Sequence, residues 1–111
     1  MKHDLRTRVR CFPATAPLRA SGMRAFAQVV IEETLFVDGL AVRITQGGKA
    51  IVTWPERRDG EGRVHAVVRV LDEGTRDEIE RAVLDEAVRG GWLEPGRIRP
   101  AIGPLSAGGA S

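Results

Sequence analysis

Leu5, Thr7, Val9 and Cys11 alternate with Arg6, Arg8 and Arg10. A period of two puts the first set on one face of a strand and the three guanidiniums on the other. Residues 13–22 (PATAPLRASG) break the alternation and read as a loop. Met23 to Glu33 is a second strand, with Val29-Val30-Ile31 supplying the β-branched centre that suits a pleated surface. Phe36 to Thr45 is a third, with Asp38-Gly39 as a turn or bulge near its start. Gln46-Gly47-Gly48 marks a hairpin, and Ala50 to Trp54 is a fourth strand stopped by Pro55. Glu56 to Arg63 (ERRDGEGR) reads as a charged loop and Val64 to Leu71 (VHAVVRVL) as a fifth strand. The period then lengthens. Thr75-x-x-Glu78 has the form of a capping box, and Ile79, Ala82, Val83 and Ala87 follow on one helical face until Gly90-Gly91 ends it.

The pattern predicts an α+β fold: an antiparallel sheet of four to five strands followed by one C-terminal helix. The domain is expected to span residues 1–91. Residues 92–111 hold three prolines and four glycines and are expected to form a disordered tail, with Trp92, Leu93 and Ile98 able to dock. One helix covers a sheet face only in part, so a homodimer through the sheet is expected.

Composition narrows the class. With 111 residues, 42% hydrophobic and 29% charged, the chain suits one soluble domain with a small core. The lone Cys11 excludes an intramolecular disulfide. No signal peptide or membrane span is read from the apolar runs, so a cytoplasmic location is expected. Net charge is only +2, but residues 1–24 carry six basic groups against one acid, and residues 71–90 three against seven. An anionic partner should therefore meet the N-terminal strand and central loop rather than the outward helix face.

His3, His65 and Cys11 lack metal-ligand spacing. Gly47-Gly48-Lys49 lacks the rest of a phosphate-binding loop. No nucleophile–base or carboxylate pair stands out. The chain is thus expected to be no enzyme and to use no catalytic residue, metal, cofactor or small-molecule substrate. Two basic groups remain as candidates. Arg57-Arg58, with Arg63 across the loop, offers guanidinium forks to phosphates, with Glu56, Asp59 and Glu61 partly neutralising them. Arg6, Arg8 and Arg10 offer a stripe that serves equally as an edge protected by charge. Trp54 suits base stacking or, more readily, the core.

The Arg8-Val9-Arg10 repeat and Gly22-Met23-Arg24-Ala25 opening a long strand resemble the start of the stage V sporulation protein G family, also called the septation-protein family. The Gly-rich turn, the apolar strand ending at Pro55, the basic pair Arg57-Arg58 with Asp59-Gly60, and Thr75-Arg76, Ile79 and Ala82-Val83 continue the resemblance over roughly residues 5–90. Trp54 replaces the family's usual Met, Glu56 its Ser, and Arg69-Val70 its His-Pro, and the loop at 13–22 is longer. The resemblance implies a homodimer built through the sheet, DNA and RNA binding, and roles in gene regulation, sporulation and septum formation. It places the basic pair on Arg57 and Arg58. The alternative is a non-enzymatic protein-interaction module in cell division or regulation, presenting the acidic helix or the tail.

Overall fold

The computed structural model describes residues 5–98. Strands β1 (Thr7–Pro13), β2 (Met23–Ile31), β3 (Leu35–Ile44) and β4 (Ala50–Thr53) form one antiparallel meander in the order β1-β2-β3-β4. A short helix α1 (Ala16–Ala20) occupies the segment between β1 and β2, with Pro17 in its first turn, where a missing amide costs nothing. Strands β5 (Glu56–Arg58) and β6 (Val64–Ala66) form a separate hairpin, and helix α2 (Glu73–Arg89) follows. The α+β expectation holds, with four strands in the main sheet.

Alternation decides which face is covered. Ala25, Ala27, Val29, Val37, Leu40, Val42, Ala50 and Val52 point inward against Ile79, Val83, Leu84 and Ala87 of α2. Small alanines on β2 and branched side chains on the helix fill one layer between them, as close packing requires. On the opposite face Phe12, Phe26, Phe36 and Ile51 stay exposed. The β2–β3 register shifts between Ala27 and Val29, opposite the Asp38-Gly39 step. Gly39 there has φ +88°, a conformation that explains the glycine.

The loops expected at 13–22 and 56–63 hold α1 and β5, and other expectations change too. The fifth strand stops at Ala66, because Pro55 ends β4 and leaves β6 only the three residues of β5 to pair with. Beyond it Val68 and Val70 pack on the core while Val67 and Leu71 face outward. The helix cap is Asp72 rather than Thr75: the Asp72 carboxylate accepts from the Thr75 amide at 2.8 Å and the Thr75 hydroxyl at 2.6 Å. Ion pairs along the helix join Arg81 to Asp85, Arg89 to Glu86 and Arg76 to Glu73.

Beyond α2 the chain returns to the sheet. Leu93 is buried, and Trp92 and Ile98 pack against the core. Arg24 donates to the Trp92 carbonyl at 3.1 Å and pairs with Glu94 at 3.3 Å. Arg97 pairs with Glu94 at 2.8 Å and donates to the Gly48 carbonyl at 3.0 Å. The boundary expected at residue 91 therefore precedes a segment, 92–98, that touches the domain. His3 and the expected tail from 99 onward lie outside the described residues.

Candidate nucleic-acid interface

The β5–β6 hairpin carries the first basic group, and Asp59 organises it. Register sets Arg57 opposite His65 and Arg58 opposite Val64. Cross-strand partners share a face and neighbours alternate, so Arg57 and Arg58 project to opposite sides. Asp59 opens the turn: its amide donates to the Arg63 carbonyl at 2.9 Å, and its carbonyl accepts from Gly62 at 3.0 Å. Its Oδ1 accepts from the amides of Glu61 and Arg63, both at 2.9 Å. Its Oδ2 lies 2.8 Å from His65 Nε2 and 3.2 Å from Arg63 Nε. The hydrogen bond to His65, then those from the loop amides and Arg63, hold the Asp59 carboxyl below the usual carboxylate range.

The three arginines thus differ in freedom. Arg63 is engaged twice, by Asp59 and by Glu61 at 2.7 Å. Arg58 donates to the Gly62 carbonyl at 3.0 Å, closing the loop. Arg57 is exposed, and its side chain makes no hydrogen bond or ion pair with another described residue. A cation without a carboxylate partner keeps its whole charge for an incoming anion.

The second group lies on β1, at the far edge of the main sheet. Arg6, Arg8 and Arg10 face outward, as the alternation predicts. Arg6 pairs loosely with Glu32 at 3.8 Å, and Arg8 grips Glu33 with two bonds, at 2.8 and 3.0 Å. Arg10 has no carboxylate partner among the described residues, and its guanidinium lies 5.5 Å from the Phe12 ring centroid. The edge strands β1 and β4 are three strand spacings apart, about 14 Å, so the stripe and the hairpin that follows β4 start from opposite sides of the sheet.

Trp54 is not a free ring. Its Nε1 donates to Glu80 at 2.6 Å and it packs on the core, which favours the core reading. Cys11 sits under α2, and burial with the nearby Glu86 pushes its thiol up to about 11, so it is protonated near neutral pH. Among the described residues no group of three or more His, Cys, Asp or Glu is placed to hold a metal ion. No described helix is long and apolar enough to cross a membrane. Sequence reasoning passed over Phe12 and Phe26, exposed side by side on the outer face. The signal was present, because Phe12 continues the arginine side of β1.

None of the curated proteins compared matches the chain. The SpoVG family model matches residues 6–87, which takes in the sheet, the hairpin and nearly all of α2. Such membership supports a sporulation- or septation-related regulator, in a family that is regulatory rather than enzymatic. On the extent of that match, the chain belongs to the SpoVG family.

Proposed function

We propose that this chain is a cytoplasmic regulator that binds DNA or RNA through the phosphate backbone, with Arg57 as the leading contact of the β5–β6 hairpin. The observation that carries the reading is the contrast inside the loop: Asp59 and Glu61 occupy Arg63, a carbonyl occupies Arg58, and Arg57 projects unpaired. Arg58 and Arg63 shape the loop and add field, and Arg10 is the freest cation of the β1 stripe. Contacts of this kind position a protein on nucleic acid and read little sequence.

We propose further that two copies join through the sheet. The β4 edge, Ala50-Ile51-Val52-Thr53, has no described strand on its outer side and carries no charge. Pairing two β1 edges would set arginines against arginines, which destabilises a ladder.

Fluorescence anisotropy with labelled DNA and RNA tests the binding reading. Affinity should fall steeply with salt, since each neutralised phosphate releases counterions. Arg57→Ala should weaken binding more than Arg63→Ala, and Arg57→Lys should retain part of it. Binding that ignores all three changes would remove the hairpin as the site. No binding at low salt would leave the protein-interaction reading in its place.

A further inference from the structure

The outer face of the main sheet is built unlike an ordinary solvated surface. Phe12 on β1 lies directly opposite Phe26 on β2, and both rings are exposed, at 40% and 38%. The same cross-strand row continues through Ala41 of β3 to Thr53 of β4. It runs from the arginine strand to a point four residues ahead of Arg57. Small Ala41 and Thr53 leave a shelf beside the two rings. The neighbouring rows carry Arg10 opposite Gln28, and Arg43 opposite Ile51. Neither arginine has a carboxylate partner among the described residues: Arg10 lies over the Phe12 ring, 5.5 Å from its centroid, so that a base stacking there displaces it toward the adjoining phosphate, and Arg43 donates to the Ser21 carbonyl. Farther along the face, Phe36 stands on the row of Arg8 and Val30, also exposed.

We propose that this face is a stacking platform for single-stranded nucleic acid, with Phe12 and Phe26 receiving unpaired bases and Arg10 and Arg43 holding the adjoining phosphates. The inference rests on the nucleic-acid reading above and specifies the strand state of its ligand. Flat rings on a rigid sheet offer stacking that duplex DNA, with its bases already stacked, cannot use. The charge favours this occupant over a second copy of the chain. Face-to-face pairing of two such sheets would desolvate Arg10 and Arg43 of both copies, neither of which has a carboxylate partner in its own chain among the described residues, and each would have to be paired anew across the seam. A phosphodiester backbone supplies the missing anions. The row also joins the two basic groups, which otherwise sit at opposite edges of the sheet.

The test compares the full chain with Phe12→Leu and Phe26→Leu, which keep apolar bulk and remove the π face. Anisotropy is read with single-stranded oligothymidine and with a duplex of equal length. Each variant should lose roughly tenfold or more in single-strand affinity, while duplex affinity holds. Ultraviolet cross-linking of the unaltered protein to a bromouridine oligomer avoids any folding defect in the variants, and the adduct should map to peptides containing Phe12 or Phe26. If the leucine variants bind single strands normally while Arg57→Ala weakens binding, the platform is overturned and the hairpin reading stands. Adducts confined to residues 56–66 overturn the platform in the same way. If the unaltered protein binds neither these probes nor a single-stranded RNA of equal length, both readings fall together. If the leucine variants turn a dimer into a monomer in sedimentation, the face belongs to a second copy and the platform is wrong.

Discussion

Asp59 and His65 meet across the β5–β6 hairpin, with Asp59 Oδ2 2.8 Å from His65 Nε2. The same carboxylate accepts two loop amides, so one side chain holds both the turn and a residue of the returning strand. Asp59→Ala should therefore disorder the loop without touching the core, since the hairpin forms its own sheet. Amide hydrogen exchange at Glu61 and Arg63 should quicken while exchange in β2 and β3 stays slow. The pH dependence follows from the lowered Asp59 value. The clamp is complete above the ordinary carboxylate range and is lost as pH falls through the lower folded value. Protection of these two amides that persists in Asp59→Ala would refute the assignment.

The β2–β3 turn stores strain. Glu32 and Glu33 both adopt left-handed φ, 54° and 52°, in the three-residue loop 32–34, where Thr34 N donates to Ile31 O at 3.0 Å. Glycine or asparagine normally fills such positions. The two acids hold Arg6 and Arg8 instead. Glu33→Gly should relieve the backbone and release Arg8, whose pair with Glu33 is exposed and of small worth. The melting temperature should rise. If the stripe meets phosphates, affinity rises too, and the salt dependence steepens by about one unit. A lower melting temperature would mean that the ion pair outweighs the strain.

Ile79 is 1% exposed and packs in the centre of the layer between α2 and the sheet. Ile79→Asp buries a carboxylate with no partner and opens space beside Val83, so unfolding free energy should drop by roughly 3 kcal/mol or more. Ile79→Val should cost about 1 kcal/mol. Chemical denaturation measures both, and equal stability of the aspartate variant would place the helix elsewhere.

Glu94 joins the C-terminal segment to the body. Its bonds with Arg97 and then Arg24 lower its carboxyl from 4.5 to about 2. A depressed carboxylate favours the folded arrangement above its ordinary value, and that contribution disappears as pH falls from 4.5 toward 2. The Trp92 indole resonance should therefore shift in this window, and Glu94→Gln should abolish the pH dependence. Cutting the chain after Leu93 removes Glu94 and Arg97 together and should lower the melting temperature slightly. An unchanged transition would show that Leu93 alone anchors the segment.

The main sheet and the helix were legible because their signals are periodic: Leu5 to Cys11 alternates, and Ile79, Val83 and Ala87 recur at helical spacing. The hairpin was not. Six charged side chains in ERRDGEGR hide the short strand β5, whose pairing depends on Asp59 fastening the turn from inside. Likewise VHAVVRVL has the letters of a strand, but a strand requires a neighbour, and Pro55 removed it. Local spacing also missed the ties from Arg24 and Arg97 to Glu94 and Gly48, since two of these, Arg24–Glu94 and Arg97–Gly48, join residues about half the chain apart. The three arginines of the loop are near neighbours in sequence and still differ in freedom, which depends on where Asp59 and Gly62 place their oxygens.

Because β5 and β6 pair only with each other, the hairpin draws little on the ladder that keeps the domain folded. Substitutions there should cost the main sheet little stability. If the hairpin is the contact proposed above, its eleven residues between Pro55 and Val67 can change in charge and in affinity while the scaffold stays still. Exchanging that segment between family members, and asking whether affinity moves with it, turns a local pairing pattern into a question about how such regulators diversify.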